Sequence, residues 1–235
     1  MILAAVLCPW TPLLVGELTG GEVILPDLRG ACAEATGRLV RAKPELVVVV
    51  GPGTRTQRWD PQSRLDLSVF APALGRTGDP ALPPAIGLGA FLLDQAGYRG
   101  RRVLQEVAEQ EMTATCAELG EAIGTEAERV GLLAMGDGSA RRSRRAPGDF
   151  DERAAEFDAG VEQALRRCDL DALFAISPAL ASDLMATGRP AWHVLAGAMQ
   201  PTASATEVLY TGAPLGVTYM VVFISARQDP PVKGR

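Results

Sequence analysis

Val130-Gly-Leu-Leu-Ala-Met-Gly-Asp-Gly-Ser-Ala-Arg-Arg-Ser-Arg-Arg145 is the stretch on which the fold turns. Val130 to Met135 is an apolar run of strand length, continuous rather than alternating, as expected of a strand buried on both faces. Gly136-Asp-Gly138 ends it with two residues that tolerate a sharp turn. In open α/β sheets, ligand sites gather at such carboxyl ends of strands. Ser139 follows at once, then Arg141, Arg142, Arg144 and Arg145. Two readings of the arginines stand side by side: an anion cradle at the sheet edge, or a solvated connection.

Outward from there the same grammar repeats. Ile2 to Leu7 is a short apolar run closed by Cys8-Pro-Trp-Thr-Pro12, whose prolines resist helix. Leu46-Val-Val-Val-Val50 suits the middle of a sheet and ends at Gly51-Pro-Gly53. Between these, Asp27 is positioned to cap a helix to about Ala42, with Leu28, Cys32, Ala35 and Leu39 inward. Leu65 to Phe70 reads as a strand, Ala71 to Ala85 as a Pro/Gly-rich connection, and Ile86 to Ala96 as a helix stopped by Gly97. Arg101 to Ile123 is weakly helical, with Val103 open to strand. Asp151 to Cys168 is an amphipathic helix carrying Ala154, Phe157, Val161 and Leu165 on one stripe. Its acidic residues, Asp149 to Asp158, read as a solvated face. Ala172 to Ile176 reads as a strand, Ala179–Ala186 and Ala191–Met199 as short helices, and Val217 to Ile224 as the last strand. The expected fold is α/β: a three-layer sandwich with a central mostly parallel or mixed sheet and helices on both faces. Residues 1–225 are expected to form a single domain and 226–235 a frayed tail.

Composition narrows the function classes. Of 235 residues, 47% are hydrophobic, enough to bury a core without staples. A net charge of −5 excludes a general nucleic-acid binder. Cys8, Cys32, Cys116 and Cys168 form no C-x-x-C pair and read as buried thiols rather than a zinc or disulfide set. The opening apolar stretch is too short for a signal peptide or membrane span, so the expected compartment is the cytoplasm, without membrane or nucleic-acid partners. His193 is the only histidine. Flanked by Trp192 and Val194, it reads as a core or interface residue rather than a catalyst.

Neither glycine turn spells G-x-G-x-x-G, no P-loop Lys-Ser/Thr is present, and no G-x-S-x-G elbow occurs. Three segments together nevertheless resemble the class III extradiol ring-cleavage dioxygenases, whose fold is shared with the Memo proteins. Pro9-Trp-Thr-Pro-Leu-Leu-Val-Gly16 is similar to the family's Pro-His-Pro-Pro-Leu-Leu-Val-Pro loop. Gly51-Pro-Gly53 stands where its second strand ends Ser-Pro-His. Gly136-Asp-Gly-Ser-Ala-Arg141, then Ala146-Pro-Gly-Asp-Phe-Asp151 and Ala154-Ala-Glu-Phe-Asp158, resembles Gly-Asp-Leu-Ser-His-Arg with its Pro-rich turn and Ala-x-x-Phe-Asp helix. Tyr210 through Met220 resembles the last strand.

The resemblance implies a cleft framed by Trp10, Gly53, Asp137, Ser139, Ala140 and Arg141. It also implies an Fe(II) held by two histidines and a carboxylate. The two histidine positions are Trp10 and Gly53, the acid/base histidine falls at Ala140, and the carboxylate position is not placed by the motifs. None of the three residues present has a ligating side chain, so no cofactor is expected and no catalytic residue is assigned. The favoured expectation is a pseudoenzyme binding a small anionic or aromatic molecule or a protein partner, with a homodimer as an expected assembly. The alternative is a metal-independent enzyme using Asp137, Ser139 and Arg141. An active iron dioxygenase is the least favoured. A carboxylate at Asp137 held near neutral pKa would turn the balance toward the enzyme.

Overall fold

The structure, a computed structural model, describes residues 1–74, 82–199 and 204–226. Seven strands form one mixed sheet: β1 (Ile2–Cys8), β2 (Leu46–Gly53), β3 (Gln57–Trp59), β4 (Arg101–Ala108), β5 (Val130–Met135), β6 (Ser204–Gly212) and β7 (Tyr219–Ala226). The order across the sheet is β3-β4-β2-β5-β1-β7-β6. The four central strands β4, β2, β5 and β1 run parallel, with β3 and β7 antiparallel to their neighbours. Every residue of β5 is buried, as its continuous apolar run requires.

Alternation along each strand divides the core in two. Ala5, Leu7, Val48, Val50, Leu132 and Ala134 face one layer, against Trp192 and Leu195. Val6, Val47, Val49, Leu133 and Met135 face the other, against Leu28, Leu39, Ile86 and Leu93. The first layer is built from α3 (Thr113–Gly124), α4 (Arg153–Arg167), α5 (Leu170–Phe174), α6 (Pro178–Asp183) and α7 (Arg189–Met199). The second is α1 (Pro26–Arg41) with α2 (Pro84–Gln95). The expected α/β sandwich with helices on both faces is present. Among the described residues no helix is long and apolar enough to cross a membrane.

Several local expectations are corrected. Ala172 to Ile176 is not a strand: Asp169 accepts from the Ala172 amide and starts α5. Leu65 to Phe70 is not a strand either, because Asp66 accepts from the Ser68 amide and folds Leu67–Val69 into a 3₁₀ turn. The weakly helical region from Arg101 divides into β4 and α3. Pro26 takes the first position of α1, so Asp27 lies within its first turn and does not cap it. The strands β3 and β6 have no clear signal in the sequence. Both are outermost in the sheet, where little apolar alternation is needed. The tail 227–235 and part of the 71–85 connection lie outside the described residues.

Candidate functional site

Parallel pairing of β1, β2, β4 and β5 brings their carboxyl ends to one edge of the sheet. There the Gly136 amide donates to the Cys8 carbonyl at 2.9 Å, extending the β1–β5 ladder into both loops. Trp10 and Asp137 meet as a result: the Trp10 amide donates to Oδ1 of Asp137 at 3.0 Å. Among the described residues no side chain donates to Asp137. Burial pushes its carboxyl up to about 7, against a smaller opposing pull from the Trp10 amide. The Trp10 ring is half-buried and donates through Nε1 to the Thr187 hydroxyl at 3.0 Å. Gly188 closes the same turn by donating to the Asp137 carbonyl at 2.9 Å. A Cβ on Gly188 would fall 2.5 Å from the Trp192 ring, so glycine is required for this approach.

Ser139 is fully buried and its hydroxyl is committed. It donates to the Leu184 carbonyl at 3.0 Å and accepts from the Arg141 amide at 3.1 Å. Its own amide donates to Oδ1 of Asp158 at 2.8 Å. Asp158 corrects a sequence expectation. It is not on a solvated face but buried, receiving Thr218 at 2.6 Å and Arg142 at 3.2 Å on Oδ2. Burial raises its pKa, with the Ser139 amide, Thr218 and Arg142 opposing. The arginine cluster divides accordingly: Arg142 pairs with Asp158, Arg144 and Arg145 are exposed, and Arg141 is half-buried with Nε unpartnered. Ala140 is buried between the carbonyl of Leu184, which its amide meets at 3.2 Å, and Gly148.

Gly53 stands apart from this group, beside Glu106 of β4. A Cβ on Gly53 would fall 2.2 Å from Oε1 of Glu106, so that space is taken by the carboxylate and not by the Trp10 ring. Glu106 is buried and receives the Thr54 and Arg55 amides at 2.7 and 3.1 Å, Gln57 at 2.9 Å and Trp59 Nε1 at 2.9 Å. Burial raises its pKa, but these donors outweigh it and the net shift is downward. Trp59 is thereby a member of β3 with a structural bond, not a neutral loop residue. The Fe(II) implied by the family does not fit these residues. Trp10 spends its only ring donor on Thr187, Gly53 and Ala140 have no ligating atom, and Glu106 is occupied by donors. Among the described residues no group of three or more His, Cys, Asp or Glu side chains is placed to share a metal.

Sequence reasoning missed Arg189, which is buried to 2% at the start of α7. Nη2 donates to the Glu109 and Glu111 carbonyls at 2.6 and 2.9 Å, and Nη1 lies 3.4 Å from Nδ1 of His193. A guanidinium can only donate, so Nδ1 accepts and the His193 proton sits on Nε2. Burial, then the Arg189 charge, pushes His193 down to about 4, and the ring is neutral at neutral pH. It packs edge-on against Phe174 with ring centres 6.0 Å apart. An arginine four residues before a histidine on an apolar helix was the legible signal; its burial was not.

The chain matches no known family model, and no curated protein matches it. Among solved structures, the uncharacterized protein JW3007 from Escherichia coli K12 is similar in fold. The TM-score is 0.58 at 14% identity, over 95% of this chain and 100% of that one. At that identity the likeness concerns the fold alone.

Proposed function

We propose that this chain is a divergent relative of the class III extradiol dioxygenases. In this reading iron chemistry has given way to proton transfer on a small molecule by Asp137. One observation carries the proposal: a buried carboxyl at the carboxyl end of β5, with the Trp10 amide as its donor and its pKa raised to about 7. Proton transfer is most effective when the group's pKa lies near the working pH, and a carboxyl at its ordinary value would be a poor acid there. Ser139 has no part as a nucleophile in this scheme, since Leu184 and Arg141 hold its hydroxyl. A second reading, a pseudoenzyme that only binds, is favoured by that same commitment of Ser139 and by the structural bonding of Asp158 and Glu106.

The test is carboxyl-detected NMR of Asp137 between about pH 4 and about pH 9, assigned by the signal lost in Asp137→Asn. A midpoint near 7 is expected. A midpoint at or below about 5, close to an ordinary aspartate, leaves only the binding reading.

A further inference from the structure

We propose that the cavity at Arg189 is a binding site for the carboxylate of a small monoanionic molecule, a class that includes short 2-hydroxy acids. The cavity measures about 140 Å³ and is lined by Glu109, Gln110, Ser182, Met185, Thr187 and Arg189, among others. Its size suits a molecule of a few heavy atoms. Arg189 supplies the charge. Three of its five N–H donors go to the carbonyls of Glu109 and Glu111 and to Nδ1 of His193, which leaves two open.

None of those partners neutralises it. Among the described residues no carboxylate pairs with Arg189, His193 is held neutral by its low pKa, and the Glu111 carboxylate accepts from the Thr56 hydroxyl. A buried cation left with neutral partners is costly, and a bound carboxylate is the partner that a guanidinium fork fits best. The Thr187 and Ser182 hydroxyls supply further polar contacts, while Pro178, Ala181, Met185 and Ala186 form an apolar wall for a short body. Glu109, exposed at the rim, disfavours a second negative charge and so selects a monoanion over phosphate. The cavity lies beside the candidate site, since Thr187 is the residue that receives the Trp10 indole. The assignment concerns binding alone: failure of a carboxylate to bind leaves the Asp137 midpoint untouched.

Purified full-length protein is titrated with sodium lactate and sodium acetate by calorimetry and thermal melts, with sodium chloride at equal ionic strength and inorganic phosphate as controls. Lactate is expected to bind saturably and raise Tm beyond the chloride control. Two variants locate the site: Ser182→Phe plugs the cavity without touching Arg189, and Arg189→Lys keeps charge but loses the fork. At least tenfold weaker lactate binding is expected in each. If Arg189→Lys does not fold, Ser182→Phe decides. No lactate effect beyond chloride, phosphate binding in place of the carboxylates, or unchanged lactate affinity in Ser182→Phe overturns the assignment.

Discussion

Asp137 and His193 are buried in opposite electrostatic senses, and their effects on stability oppose each other. The folded Asp137 holds its proton up to about pH 7, whereas the unfolded chain releases it near 4. Between those values the folded state binds more protons, so this group's contribution falls as pH rises, by on the order of 4 kcal/mol in total. His193 does the reverse. Folded, it stays neutral down to about 4, while the unfolded ring charges below about 6.5. Its contribution is present above about 6.5 and is lost as pH falls, by roughly 3 kcal/mol. Urea melts across this range are expected to show Asp137→Asn gaining on the parent as pH rises and His193→Gln losing on it. Parallel profiles for parent and variant would mean the group is not perturbed. Trp10 is half-buried with one indole bond, so Trp10→Ala is expected to cost about 2 kcal/mol, less than the 3–5 typical of a fully buried Trp. Trp192→Ala, from a side chain with no exposure, belongs in that higher range and serves as the comparison in the same denaturant melts.

At the scale of elements, the carboxyl edge of the sheet is tied together by two buried carboxylates on different neighbours. Asp158 of α4 joins the loop after β5 to Thr218, just before β7. Glu106 of β4 holds the segment from Thr54 to Trp59 and so fixes β3 on the sheet. Gly53 is part of the second tie, because any side chain there meets the Glu106 carboxylate. Gly53→Ala is expected to cost ~1–3 kcal/mol by overpacking, measured by chemical denaturation. The loss is expected to shrink in Gly53→Ala/Glu106→Ala relative to Glu106→Ala alone, because the clash has gone. Equal losses in both backgrounds would show that Glu106 is not what crowds Gly53. Gly53→His would not restore a metal ligand either, since it displaces Glu106 and strands the donors around it.

Across the whole molecule, the mixed sheet with helices on both faces places Trp10, Asp137, Thr187 and Arg189 along one edge. The residues at the family's histidine positions offer no ligating atoms. Purified protein is therefore expected to hold no stoichiometric iron or zinc after dialysis, as read by elemental analysis. About one metal per chain retained through dialysis would require a ligand set other than the one implied by the resemblance.

The continuous apolar runs at Ile2, Leu46 and Val130 determined the central parallel strands, because a strand buried on both faces must be apolar throughout. The stripe Ala154, Val161 and Leu165 likewise determined α4. Both signals are local in sequence. The run Ala172 to Ile176 misled because a strand and a buried helix share short apolar composition, and the Asp169 cap decided between them. The buried charges were decided only by tertiary structure. Asp158 keeps the spacing of a surface residue, yet its partners lie 19 and 60 positions away. Arg189 depends on carbonyls about 80 residues earlier in the chain. A buried polar group must find its partners in space, and the sequence records neither the partner nor the shielding from water that raises the pKa of Asp137.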